Sequence, residues 1–154
     1  MRTFVLSCPT EHNRGDLPTG GESKAGFGKT GKPVRGLAGR RVLIVEDEAM
    51  ISALIEMIVG DAGCLIVGPV GTLKRALEII EREPLDAALL DVRINGHDIY
   101  AVADALSTRG IPFIFVSGFA RTQLPPRFRH CAHIAKPFSP DTILTLLNEV
   151  VAGK

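Results

Sequence analysis

The stretch Val42-Leu43-Ile44-Val45-Glu46-Asp47 sets an unbroken apolar run directly against a pair of carboxylates. Four apolar residues without polar alternation fit a strand buried on both faces, the pattern of a parallel sheet covered by helices. A second such run, Ala87-Ala88-Leu89-Leu90, closes on Asp91. Sheets of this kind bind ligands outside the carboxyl ends of their strands, so Glu46, Asp47 and Asp91 are expected at one edge. Carboxylates gathered there repel one another and resist ionisation unless neutralised. A hard divalent cation such as Mg²⁺ does so with oxygen ligands.

Outward from these runs, strand-like and helix-like segments alternate. Strands are expected at 41–45, 64–67, 86–90, 112–116 and 131–135, and helices at 48–60, 72–83, 98–109 and 140–152. Gly68-Pro69 should stop the second strand. Thr72 and Ser139 read as N-caps, Pro140 suits a first helical turn, and Pro84 ends the second helix because the residue before proline avoids the helical region. Five strands alternating with helices predict an α/β fold, a doubly wound five-stranded parallel sheet with right-handed crossovers. Pro125-Pro126 interrupts the segment between the last two strands, so a fourth helix there should be short or missing.

The chain divides near residue 39. Residues 1–39 hold eight of the sixteen glycines and show no apolar periodicity, so they read as a flexible N-terminal extension to a domain at 40–154. Gly26-Phe27-Gly28-Lys29-Thr30 looks like the end of a phosphate loop. Ser23 stands where that loop needs glycine, and no strand precedes it, so a solvated linker is the better account. The domain carries twelve Lys or Arg against fourteen Asp or Glu, and a net charge of +1 for the whole chain argues against a nucleic-acid partner. Cys8, Cys64 and Cys131 are odd in number and lack metal-ligand spacing, which fits a reducing, cytoplasmic setting. No apolar stretch approaches the ~20 residues of a membrane span, and Phe4-Val5-Leu6 is too short for a signal peptide.

Four blocks recur at the strand ends: Val42-Leu43-Ile44-Val45-Glu46-Asp47-Glu48, Leu89-Leu90-Asp91, Phe115-Val116-Ser117-Gly118 and Ala135-Lys136-Pro137-Phe138. In this order the chain from about 40 to 152 resembles the receiver domain of two-component response regulators. The resemblance implies a flavodoxin-like strand order of 2-1-3-4-5. It implies Asp91 as phosphoacceptor, with Glu46, Asp47, Asp91 and the Arg93 backbone carbonyl holding Mg²⁺. Ser117 would hydrogen-bond the phosphoryl group, Lys136 would pair with it, and Lys136-Pro137 would be cis.

The chemistry agrees. A carboxylate can attack a phosphoryl group to give an acyl phosphate when the charge on the oxygens is neutralised. Taken singly, Asp91 also reads as a turn residue, Glu46 and Asp47 as helix-capping acids, Ser117-Gly118 as loop and Lys136 as a surface lysine; their conjunction at strand ends carries the assignment.

Three positions before the lysine, where receivers usually place a switching Tyr or Phe, stands His133, a candidate that can titrate near neutral pH. The run Pro112-Phe113-Ile114-Phe115-Val116-Ser117-Gly118-Phe119, with Leu124-Pro125 and Arg127-Phe128-Arg129-His130, resembles a divergent group of single-domain receivers of alphaproteobacterial stress signalling. That group usually has Thr and Tyr where this chain has Ser117 and Phe119. A stand-alone receiver is therefore expected: not an enzyme, but a signalling domain that takes phosphate from a sensor histidine kinase or histidine phosphotransfer protein and acts by docking or by passing phosphate on. In the first helix Glu48, Ser52, Glu56 and Gly60 form one narrow non-apolar stripe, leaving an apolar face wide enough to meet a partner helix or a second copy in a homodimer. Arg121, Arg127 and Arg129 offer a second surface. The alternatives are a pseudo-receiver adaptor working without phosphate, which the intact acceptor set argues against, and an aspartyl-phosphate-forming phosphatase, for which no cap insertion is present.

Overall fold

The computed structural model describes residues 34–153. Successive residues of a strand face opposite sides of its sheet, and Val42 to Val45 are all apolar, so both sides need cover. β1 (Arg41–Val45) lies between β2 (Leu65–Val70) and β3 (Ala87–Leu90), with β6 (Phe113–Ser117) and β7 (Ala132–Ala135) beyond. The order β2-β1-β3-β6-β7, parallel throughout, is the expected doubly wound sheet. Two short strands, β4 (Arg93–Ile94) and β5 (His97–Asp98), pair antiparallel as a separate hairpin.

α1 (Ala49–Asp61) and α4 (Pro140–Val151) cover one face, where Val42, Ile44, Leu89 and Ile114 pack with Ile55, Val59, Ile143 and Leu147. α2 (Leu73–Arg82) and α3 (Tyr100–Thr108) cover the other, where Leu43, Val45, Leu90, Phe113 and Phe115 meet Ala76, Ile80, Val102 and Leu106. Each fully buried aliphatic side chain contributes roughly 1.5–3 kcal/mol. Both predicted caps form: Thr72 Oγ1 accepts from the Arg75 N–H at 3.3 Å and Ser139 Oγ from the Thr142 N–H at 3.2 Å.

Gly68-Pro69 does not stop the second strand, which runs on to Val70. β2 is an edge strand, where the missing N–H of proline costs least. Gly68 adopts φ +97°, and a Cβ there would stand 3.1 Å from the Val70 nitrogen and 3.2 Å from the Ile44 carbonyl oxygen. The register against β1 shifts between Leu43 and Val45 to accommodate this turn of the chain. The third helix begins at Tyr100 rather than 98 because the β4–β5 hairpin occupies 93–98. Asn95 (φ 50°) and Gly96 (φ 80°) form its tight turn, the Asn-Gly pair that favours positive φ at both positions.

No fourth α-helix separates β6 from β7. Two 3₁₀ turns, Arg121–Gln123 and Pro126–Phe128, stand in its place on either side of Leu124-Pro125. Phe128 anchors this segment: fully buried, its ring lies 5.6 Å from Phe115, 6.3 Å from Phe113 and 5.5 Å from Tyr100. Truncating it to alanine should cost roughly 3–5 kcal/mol.

Residues 34–39, counted with the N-terminal extension by sequence, pack onto the domain. Leu37 is fully buried, and the Val34 and Gly39 N–H groups donate to the Ala62 and Gly63 carbonyls at 3.3 and 2.8 Å. The rest of that extension, with Cys8 and the Gly26–Thr30 stretch, lies outside the described residues.

Candidate functional site

Backbone pairing continues past the ends of the strands and brings the candidate side chains to one edge. The Glu46 N–H donates to the Val70 carbonyl at 3.0 Å, Asp91 N–H to Val45 at 2.9 Å, and Lys136 N–H to Ser117 at 2.9 Å. Glu46, Asp91 and Ser117 are buried there, and Lys136 reaches in beside them across a cis bond to Pro137. Its ammonium lies 2.9 Å from Glu46 Oε2, 3.3 Å from Asp91 Oδ2 and 3.7 Å from Glu48 Oε1.

Burial pushes the Glu46 carboxyl up to about 7, against the hydrogen bond from Lys136 that favours its ionised form. Burial likewise opposes charge on Lys136, but the hydrogen bond to Glu46 and the charges of Asp91 and Glu46 outweigh it and hold the ammonium above its ordinary value. The two shifts pull in opposite senses, since the lysine gains most from an ionised glutamate.

The carboxylates divide in a way the sequence does not announce. One oxygen each of Glu46, Glu48 and Asp91 lie within 4.8 Å of one another, a hard donor set that fits Mg²⁺. Asp47 stands outside that group: its Oδ2 accepts the Asn95 N–H at 2.8 Å, while Asn95 Nδ2 donates to the Gly71 carbonyl at 2.7 Å. The hairpin thus fastens Asp47 and the β2–α2 loop together. Neither Asn95 nor Glu48 is among the residues singled out from sequence for the site. The Asn-Gly turn and the third consecutive acid are the signals that mark them. Arg93 is tied to the acceptor through its N–H, 3.4 Å from Asp91 Oδ1, and its guanidinium donates to the Gly96 carbonyl at 3.0 Å.

Ser117 Oγ accepts the Phe119 N–H at 2.9 Å. His133 pairs with Phe115 across β6 and β7, and its Nε2 is buried without a hydrogen-bond partner. Burial lowers its pKa, the charge of Arg121 lowers it further, and a backbone hydrogen bond to Phe119 opposes both. In α1 the non-apolar stripe is unevenly exposed, with Glu48 at the surface, and part of the wide apolar face is exposed too. Ser52 is buried, and Met50, Leu54 and Met57 are exposed.

The family model of the response regulator receiver domain matches residues 42–148. The chain belongs to the response regulator receiver family. Among curated relatives, the transcriptional regulatory protein PdtaR of Mycobacterium tuberculosis is 32% identical over 117 residues, 73% of this chain and 57% of PdtaR, so the chain spans little more than half of that relative. The solution structure of SdrG from Sphingomonas melonis matches with 34% identity and a TM-score of 0.66, covering 75% of this chain and 98% of SdrG. The anti-anti-sigma factor PhyR of Bartonella quintana matches with 31% identity and a TM-score of 0.65, over 73% of this chain and 48% of PhyR. A receiver is a signalling domain rather than a conventional enzyme, and receivers typically bind Mg²⁺. Asp91, Ser117 and Lys136 lie at the ends of β3, β6 and β7 of this receiver, and no described helix is long and apolar enough to cross a membrane.

Proposed function

We propose that this receiver accepts a phosphoryl group on Asp91 from a phosphohistidine of a cytoplasmic kinase or phosphotransfer protein, and signals by docking or by passing the group on. The observation that carries this reading is the Asp91 carboxylate, buried at a strand end with the Lys136 ammonium 3.3 Å from Oδ2. In the transfer an Asp91 oxygen forms the new O–P bond as the N–P bond breaks, and the electron pair returns to the imidazole. Lys136 stabilises charge developing on the phosphoryl oxygens, and the Ser117 hydroxyl turns from the Phe119 N–H to donate to one of them. Mg²⁺ held by Glu46, Asp91 and Glu48 or Asp47, with the Arg93 carbonyl, would neutralise charge on the opposite side.

The docking part of the proposal is supported by α1, which starts directly after Glu46-Asp47-Glu48. Met50, Leu54 and Met57, 86%, 37% and 58% exposed, line up at helical spacing as a seat for a donor's helix. Incubation with acetyl phosphate and Mg²⁺, followed by mapping of the modified residue, tests the acceptor. Wild type should gain one acid-labile phosphate on Asp91 and Asp91→Asn none. Incorporation into Asp91→Asn at the wild-type level would overturn the assignment.

A further inference from the structure

Beside the acceptor site a groove of 540 Å³ opens between the β4–β5 hairpin and the 3₁₀ segment. Tyr100, Phe119 and Pro125 give it half-buried apolar walls over the buried Val92 and Leu124, Gln123 adds a polar one, and Arg93 and Arg129 stand exposed on its rim, with Asp98 the one lining acid. Its walls are preformed. Tyr100 stacks on the buried Phe128, Arg127 lies 4.5 Å above that ring and pairs with Asp104 at 3.1 Å, and Arg129 Nε donates to the Leu124 carbonyl at 3.0 Å.

Charge sets this surface apart. Residues 118–131 hold three arginines and no acid, while the rest of the domain from residue 40 holds nine basic residues against fourteen acidic ones. A basic rim around a cleft of mixed lining with exposed apolar faces at Tyr100, Phe119 and Pro125, on a body of opposite sign, is complementary to one kind of ligand: an extended segment with an apolar anchor between carboxylates. We infer that this groove is a docking site for an acidic peptide segment of a partner protein, anchored by a Leu- or Phe-sized side chain. The site is built from chain that leads directly out of the phosphorylation machinery: Val92 and Arg93 follow Asp91, and Phe119 donates its N–H to Ser117 Oγ. Movement of the Ser117 oxygen toward a phosphoryl group strains that bond and shifts the wall, so peptide affinity and phosphorylation are coupled and, by linkage, reciprocal. The coupling rests on the function proposed above; the groove itself does not.

The test presents an array of random 12-residue peptides to the labelled, unphosphorylated full chain, and measures the strongest binder by fluorescence anisotropy. Bound sequences should be enriched in Asp and Glu flanking Leu or Phe. Arg129→Glu should weaken the binder about tenfold, as expected for an ion pair turned to repulsion, while Arg129→Lys should stay close to wild type. Enrichment of basic peptides, no enrichment, equal binding by Arg129→Glu, or displacement of the peptide by a 12-nucleotide single-stranded RNA would each overturn the proposal. Acetyl phosphate labelling of Arg129→Glu is read separately, so failure of the groove and failure of Asp91 as acceptor are distinguishable.

Discussion

Replacing Lys136 by methionine tests the electrostatics of the site in a way that depends on pH. The ammonium contacts Glu46 at 2.9 Å and Asp91 at 3.3 Å. A unit pair at about 3 Å is worth roughly 5 kcal/mol before desolvation at an effective dielectric of about 20, and desolvation cancels much of that. The decisive group is Glu46, raised from 4.5 to about 7. Between those values the folded state holds a proton that the unfolded chain has released, so wild-type stability without divalent cation falls as pH rises through that window, by about 2 kcal/mol after allowance for screening. In Lys136→Met the hydrogen bond that restrains the shift is gone, so the Glu46 pKa climbs further and the decline continues above pH 7. At pH 5.5, where Glu46 is protonated in both proteins, the variant should lose only the Asp91 contact, about 1 kcal/mol. The deficit should widen by about 1 kcal/mol per pH unit above 7. Urea unfolding at pH 5.5, 7 and 8.5 in EDTA measures it, and Mg²⁺ should restore more stability to the variant than to wild type at pH 8.5. A deficit that stays constant with pH, or shrinks as pH rises, would show that Glu46 is not the group Lys136 restrains.

Mg²⁺ should stabilise the wild-type fold by ~2.7 kcal/mol at 100 times its dissociation constant. Asp47→Asn should remove most of that melting shift; an unchanged shift would leave the cation to Glu46, Glu48 and Asp91 alone. Ser117→Ala should still take phosphate on Asp91 but should lose much of the change in hydrogen-exchange protection over 118–133 on beryllofluoride addition, because one hydrogen bond of roughly 0.5–1.5 kcal/mol no longer couples the two; equal changes in both proteins would rule out this route. Met57→Asp should leave labelling by acetyl phosphate intact while slowing transfer from a phosphorylated histidine donor, and equal rates from the donor would move the docking face off α1.

What the sequence shows well is whatever depends on local pattern alone. Val42–Val45 and Ala87–Leu90 are apolar without alternation because both their faces are covered, so the strand ends and the acids that follow them can be read directly. Non-local geometry is harder to read. Gly68-Pro69 reads as a stop, yet at a sheet edge it passes as a bulged strand, and only the resumed pairing of Val45 with Val70 reveals that. The stripe of Glu48, Ser52, Glu56 and Gly60 reads as the one non-apolar line on a helix whose apolar face is wide enough to meet a partner, but does not tell which part of that face is exposed. In the fold Ser52 is buried and Met50, Leu54 and Met57 are exposed, because the rotation of a helix depends on what packs against it. The division between Asp47 and Glu48 is set by a hairpin turn 48 residues away, through the Asn95 N–H. That hairpin was open to prediction from Asn95-Gly96, flanked as it is by Arg93-Ile94 and His97-Asp98.

The departure at the fourth helix bears directly on how a signal leaves the site. A full helix after β6 would resist movement through its cooperative hydrogen bonds; two single 3₁₀ turns divided by Leu124-Pro125 have few to break. The segment is instead held by side-chain burial at Leu124 and Phe128, by the Arg127–Asp104 ion pair, and at Phe119 by hydrogen bonds to Ser117 and His133. On the proposed function the Ser117 hydroxyl donates to phosphate on Asp91, and the movement of its oxygen strains the bond from the Phe119 N–H while Phe128 stays where it is. The expected motion is therefore a pivot of residues 118–123 about a fixed aromatic anchor. Phe119 and Gln123, which line the groove, lie in that stretch, whereas Phe128 does not line it. On the proposed function a change at Asp91 would alter the mouth of the groove and spare its supporting stack, the arrangement a phosphate-dependent docking surface requires.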